Sequence, residues 1–406
     1  MLSLQQRLRQ MRLQERLSDH FALRDPHTAM LVGIRELAPE ITARAAEIEA
    51  ARRVPPDLVD RLRSIGLFRM FVPRSHGGLE FDLPAGMEVI RALTRLDGSI
   101  GWISIVGGVG ALFAAAARPE LYQQMYQDGP DVAICGSSQP AGTAERVSGG
   151  YRVKGRWPFA SSCTHADWIG GFCIVTENGK PVPGPHGKPQ VRAVALPARD
   201  WEIEDTWHAA GLKGTGSHHI TLHERLVPET HIFDLEAAPR LSGPLYQALR
   251  QWLPLLHGTF SVGLAEGTFD DLLALAHTGR QQLYATTSMR DSEVFQYEVG
   301  RISADLSAAQ AFHEVQVASH WRRALAGTLN DEDLLIESAR SAVWLATTCV
   351  GIADASFALA GSSAVYDSSP LQRRLRDLHI GAQHAHAQQR QYVDVGKLAL
   401  RRSAEL

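Results

Sequence analysis

The run Trp168-Ile-Gly-Gly-Phe-Cys-Ile-Val175, the stretch Asn178-Gly-Lys-Pro-Val-Pro-Gly-Pro-His-Gly-Lys-Pro189 and the run Val191-Arg-Ala-Val-Ala-Leu196 decide the fold class. Two short apolar runs, split by a segment too rich in Pro and Gly for helix or strand, read as two strands joined by an exposed hairpin loop. Tyr151-Arg-Val153 and Ile220-Thr-Leu222 add further strand signals, so a compact β domain, sheet or barrel, is expected over residues 131–235. The character changes at Gly129-Pro130 on one side and returns to helix after Pro244 on the other.

Upstream, from His27 to Met125, apolar residues recur at helical spacing, as in Leu58, Leu62 and Ile65 or Met87, Ile90, Leu93 and Thr94. Val72-Pro73 and Gly77-Gly78 mark a loop between helices, and Asp97-Gly98-Ser99 offers a cap for an apolar helix beginning near Trp102. Downstream, four long helical segments near residues 248–276, 293–326, 331–360 and 372–401 imply a bundle. The expected chain is α+β: an extension (1–25), an N-terminal helical domain (26–130), the β domain (131–235) and a C-terminal four-helix bundle (236–406). This order is not that of a doubly wound nucleotide fold, and neither GxGxxG nor GxxxxGK[ST] is present.

Of the 406 residues, 45% are hydrophobic and 21% charged, enough apolar material for a large core. A net charge of -3 gives no electrostatic reason to expect a nucleic-acid or anionic-membrane surface. Cys135, Cys163, Cys173 and Cys349 form no CxxC pair and read as reduced, buried thiols. Met1–Leu17 alternates Leu with Arg and Gln, unlike a secretory signal, and the apolar stretch 100–117 is Gly-rich and short, suiting a buried helix better than a membrane span. A cytoplasmic protein is expected.

Several motifs occur in a fixed order: Gly66-Leu-Phe-Arg-Met-Phe-Val-Pro73 with Gly77-Gly78, Asp97-Gly-Ser99 with Trp102, Gly155-Arg-Trp-Pro-Phe-Ala-Ser161, and Gly211-Leu-Lys-Gly-Thr-Gly-Ser217 with Val227-Pro228. Gly361 and Leu371-Gln-Arg-Arg-Leu-Arg-Asp377 with His384 complete the series. Through these, over about residues 25–397, the chain resembles the acyl-CoA dehydrogenase superfamily, and within it the two-component flavin monooxygenases that hydroxylate small aromatics. The dehydrogenases of that superfamily need a glutamate base on the first bundle helix or after the late Arg-Asp motif. Here no acid lies between Asp377 and Asp394, and residues 250–256 carry none. Without such a carboxylate, proton abstraction from carbon has no agent.

The resemblance therefore implies an oxygenase component. A separate NAD(P)H:flavin reductase supplies FADH2 or FMNH2, O2 forms a C4a-hydroperoxide, and one oxygen passes to a small aromatic or heteroaromatic substrate. It also implies a homotetramer. The alternatives are an acyl-CoA dehydrogenase or oxidase with a displaced base such as Glu266 or Asp394, an amino-sugar N-hydroxylase, or a helical scaffold without flavin.

By resemblance, Ser161 sits where a hydroxyl, able to donate and accept, faces flavin N5; its plainer reading is a strand end. His384 matches an active-site histidine that can donate to the peroxide or take a substrate proton, with a buried structural histidine as the alternative. His379, His384 and His386 also raise a metal site. On one helix, at ~100° per residue, His379 and His386 would share a face with His384 roughly 140° away, so no metal is expected. Thr215 and Ser217 suit close approach to a flavin phosphate or ring edge, or form a plain turn. One of Trp157 and Phe159 is expected against the isoalloxazine, Ser138 is a looser flavin contact, and Arg280 and Gly361 lie where the bundle would meet the cofactor. Trp102 either walls the substrate pocket or fills the core. No second histidine follows in Ile103–Gly110, which leaves room for a substrate other than a simple phenol.

Overall fold

The computed structural model describes residues 25–237 and 240–404. The N-terminal extension, apart from Asp25, lies outside them. Six helices open the described chain: α1 (Pro26–Ala43), α2 (Ala45–Ala51), α3 (Pro56–Ser64), α4 (Leu83–Leu96), α5 (Gly98–Ala114) and α6 (Pro119–Met125). The caps are local. Asp25 accepts from Thr28 N–H with Pro26 in the first turn, and Asp82 accepts from Ala85 N–H. Asp97 accepts from the N–H groups of Ser99 and Ile100, so α5 begins one turn before Trp102. Nearly all faces of α5 are buried, as its apolar composition requires.

The middle of the chain forms strands β1 (Ile134–Val147), β2 (Gly150–Ala160), β3 (Trp168–Glu177), β4 (Lys180–Pro181), β5 (Val191–Pro197), β6 (Glu202–Glu204), β7 (His218–Val227) and β8 (Ile232–Phe233). Their order, β6-β7-β2-β1-β3-β5-β8 with β4 beside β3, is an open path, which settles sheet against barrel. β1 and β3 run parallel; the other named pairs are antiparallel. Trp157, Trp201, Val153, Ile169, Cys173, Val194 and Ile220 form the core of this domain. The stretch 178–189 is not free of strand as the sequence suggests. Asn178 at φ 53° and Gly179 at φ 73° make a tight hairpin turn that pairs Glu177 with Lys180.

The C-terminal part contains α7 (Leu249–His277), α8 (Glu293–Leu325), α9 (Glu332–Ala360), α10 (Pro370–Gly381) and α11 (Tyr392–Ser403). Among the described residues one helix, Glu332–Ser363, is long and apolar enough to cross a membrane, and it is packed against α7 and α8. The single fourth helix expected over 372–401 does not form. The chain leaves α10 at Gly381 and passes through short turns at Ala385–Ala387 and Gln389–Gln391 before α11. His257 Nε2 donates to Gly381 O at 2.9 Å, and the same carbonyl accepts from His384 N–H at 3.1 Å, which tightens the end of α10 into a turn. His384 is therefore a loop residue, and the helical-wheel placement of His379, His384 and His386 does not apply.

Candidate active site

Ser161 lies just past β2, where Phe159 (φ 61°) and Ser162 (φ 68°) take left-handed conformations and the pairing with β7 slips between Trp157 and Ala160. Left-handed non-glycine residues cluster at functional sites because their strain needs support from the surroundings. The support is visible here. Ser162 N–H donates to Thr215 O at 2.8 Å, which docks the turn of residues 211–217 against the end of β2. Trp102 Nε1 then donates to Ser161 Oγ at 3.0 Å, Ser161 and Ser217 share a 2.7 Å hydrogen bond, Ser217 and Thr215 another of 2.7 Å, and Thr215 Oγ1 donates to Leu212 O at 2.8 Å. Ser161, Ser217 and Thr215 are all buried.

The turn is anchored from α10. Leu212, at φ 49°, donates its N–H to buried Asp377 Oδ1 at 2.5 Å. Burial and the neighbouring Asp97 push the Asp377 carboxyl up to about 7, while the Leu212 amide and the Arg373 and Arg376 guanidinium groups pull the other way. Asp97 caps α5, so one pair of acids links the helix carrying Trp102 to the turn carrying Thr215 and Ser217.

Around Trp102 stand Phe260 at 5.0 Å between ring centroids, His384 at 5.4 Å and His257 at 6.1 Å, all edge to face. His257 and His384 stack at 5.6 Å, and His386 lies 5.2 Å from His384. Burial lowers the pKa of His257 to about 4. Burial among these rings, reinforced by His257 and His386, also lowers that of His384. His384 is nevertheless exposed to solvent, so its ring is less enclosed than that of His257. Both imidazoles are neutral at pH 7. With Nε2 donating to Gly381 O, His257 presents a buried Nδ1 lone pair that has no protein partner.

Sequence reasoning missed His257. The scan for a base stopped at Leu256, and the available signal was one imidazole inside the otherwise uncharged run Leu255 to Leu264. Of the two candidate aromatics, Trp157 is fully buried in the sheet core, donating to Phe172 O at 2.7 Å, whereas Phe159 is 65% exposed beside Trp207 and His219. Only Phe159 offers a free face. Ser138 is exposed at the bulge where the β1–β3 register shifts between Ser137 and Gly142.

Arg280 and Gly361 come together elsewhere. Arg280 Nη2 donates to Ser362 Oγ at 2.9 Å, its buried Nε has no protein partner, and Gly361 ends α9 at φ 57°. They do not join the cluster around Ser161. His257 and His277 lie on the same helix, about 30 Å apart at 1.5 Å per residue, and Arg280 follows the far end.

The displaced-base candidates are committed to other contacts. Glu266 lies nine residues beyond His257, roughly 180° around α7, where it accepts from Arg91 Nε at 2.8 Å and Gln310 at 2.5 Å. Asp394 is exposed on α11 and pairs with Lys397 at 3.0 Å. Among the described residues no three His, Cys, Asp or Glu side chains converge to hold a metal ion.

The residues gathered here fit a flavin: a hydroxyl with spare accepting capacity, an exposed aromatic face and an exposed serine at a strand bulge. The acyl-CoA dehydrogenase N-terminal and C-terminal domain families match residues 25–126 and 255–389. Indole-3-acetate monooxygenase of Pseudomonas putida is 30% identical over 372 residues, covering 91% of this chain and 92% of that protein. The oxygenase subunit HsaA of Rhodococcus jostii, a flavin-dependent monooxygenase, is 29% identical over 376 residues, covering 89% and 95%. The crystal structure of the HsaA monooxygenase from M. tuberculosis superposes with a TM-score of 0.84 at 26% identity, over 92% of this chain and 97% of that one. With helical, sheet and helical parts in the same order, and likeness along nearly all of its length, the chain belongs to the acyl-CoA dehydrogenase superfamily, in its branch of flavin-dependent monooxygenases.

Proposed function

We propose that the chain is the oxygenase component of a two-component system, taking FADH2 or FMNH2 from a separate NAD(P)H:flavin reductase and transferring one oxygen atom of O2 to a small aromatic or heteroaromatic substrate. The observation that carries this is the meeting of neutral His384 and hydrogen-bonded Ser161 at Trp102, with Glu266 and Asp394 held in other contacts. The bound reduced flavin supplies the electrons that activate O2. The chain's own residues bind, orient and exclude water.

With flavin bound, Ser161 would face N5 of the ring, Phe159 would lie against the isoalloxazine and Ser138 would border it, with Thr215 and Ser217 hydrogen-bonded behind Ser161. Trp102, Phe260 and His257 form an apolar wall that keeps water from the reacting face. His384, neutral at pH 7, accepts a proton from a phenolic O–H or an indolic N–H of the substrate. The substrate in the name of the P. putida relative, indole-3-acetate, is an aromatic of this kind.

Arg280 and Gly361 take part through a second copy of the chain, since about 30 Å of α7 separates His257 from the end of the helix that Arg280 follows. A homotetramer accommodates this. It would also cover exposed apolar side chains beside Arg280, Leu283 at 83% and Tyr284 at 95% exposure. The test is His384→Ala. Product formed per NAD(P)H consumed falls at least about tenfold, as expected of a lost proton acceptor, and H2O2 rises to match. Hydroxylation at the wild-type yield refutes the role.

A further inference from the structure

Four side chains of the cleft form one hydrogen-bonded row, and its two ends fix the direction of every bond in it. Leu212 O is a carbonyl without a hydrogen that also accepts from Trp207 Nε1 at 3.0 Å and Thr215 N–H at 3.1 Å, and at its shorter 2.8 Å contact with Thr215 Oγ1 only Thr215 can donate. A hydroxyl has one hydrogen. Thr215 can then only accept from Ser217, 2.7 Å away, and Ser217 can only accept from Ser161, also at 2.7 Å. At the other end Trp102 Nε1, which can only donate, reaches Ser161 Oγ at 3.0 Å. Ser161 thus donates inward and accepts once from Trp102, and it retains one lone pair. The three hydroxyl residues are buried, which removes bulk water as an alternative partner.

We infer that this row reads the redox state of the flavin: Thr215 and Ser217 hold Ser161 as an acceptor toward the cleft, favouring the N5–H of reduced flavin over the N5 lone pair of oxidised flavin. The inference rests on the proposal that Ser161 faces N5, and it assigns the discrimination to two positioning residues behind that contact. Reduced flavin carries a hydrogen on N5 and completes the row. Oxidised flavin sets a lone pair against a lone pair, a buried unmade hydrogen bond that costs tenfold or more in affinity, on the order of the effects seen for unsatisfied buried groups.

The experiment is anaerobic titration of the full chain with FMN and FAD, each in reduced and oxidised form, to obtain the ratio of the oxidised to the reduced Kd. Thr215→Val keeps the shape but removes the acceptor for Ser217. Ser217 then turns its hydrogen toward Ser161, and the Ser161 hydrogen becomes free for the cleft. The ratio is expected to fall about tenfold in Thr215→Val, and likewise in Ser217→Ala, chiefly through tighter binding of oxidised flavin. Trp102→Phe, which leaves the inward row intact, should keep the ratio within about twofold, well inside one unmade hydrogen bond. An unchanged ratio in Thr215→Val of wild-type circular dichroism overturns the inference; if that variant does not fold, an unchanged ratio in Ser217→Ala overturns it equally. Wild-type protein that binds both redox states alike sinks the inference but spares the Ser161 contact, whereas wild-type protein that binds neither sinks that contact and the inference with it.

Discussion

Replacing His257 with Phe should make the protein less sensitive to acid, by an amount that follows from its burial. The His257 ring is enclosed by Trp102, Phe260 and His384, and its folded pKa is lowered to about 4. A lowered histidine pKa means that the unfolded chain binds the proton more readily. Stability therefore rises with pH between about 4 and the ordinary histidine value of about 6.5, and it is lost as pH falls through that window. Taking those two values, lowering pH from 7 to 5 removes about 2 kcal/mol through His257 alone. His313, lowered to about 3 by burial, adds a similar loss. Phe at 257 fits among the same rings and does not titrate. The assay is urea unfolding at pH 7 and pH 5, followed by tryptophan fluorescence. Wild type should lose more stability than His257→Phe over that interval, by about 2 kcal/mol. An equal loss in both proteins would mean that His257 is protonated or wet in the fold, and the account of the ring cluster would fail.

Glu266→Gln should leave hydroxylation within about twofold, because a side chain turned to the far side of α7 does not touch the reaction; a loss of activity with wild-type flavin binding would revive Glu266 as a base. The same change should lower unfolding stability by about 1–3 kcal/mol, since Arg91 loses a buried charged partner. Gly381→Ala would set a methyl group 2.6 Å from Phe260 Cε1, so the turn bearing His384 must shift. An overpacking cost of about 1–3 kcal/mol is expected, together with increased H2O2 release, and a fully coupled Gly381→Ala enzyme would show that the turn tolerates displacement.

The sequence carried the fold class through features that act over a few residues. Asp97 caps α5 with its own side chain, and Asn178-Gly179 closes a hairpin, so both could be read from a short window. What the sequence hid depended on distant partners. The turn after Gly381 is held by an imidazole 124 positions earlier in the chain, which no periodicity records. Trp157 and Phe159, two residues apart, would share one face of a regular strand. The slipped register and the positive φ of Phe159 separate them, burying one ring and releasing the other. Ser161, Ser217, Thr215, Trp102 and His384 do meet, but motif matching gave each a position without the direction of its hydrogen bonds. Arg280 and Gly361 match the same motifs, yet motifs carry no distances, and these two lie at the opposite end of α7.

The hydrogen-bonded row has a consequence for synthesis. Ser161 follows β2 and Ser217 precedes β7, neighbouring strands whose bond spans 56 positions of chain, and His384 comes only after α10. A nascent chain therefore cannot close the Ser161–Ser217 bond until β7 has docked, and it lacks His384 until helices α7 to α10 have been made. Cofactor capture becomes a late event by construction. A half-made polypeptide offers reduced flavin no built site, and chemistry that can leak peroxide waits until the walls that contain it are complete.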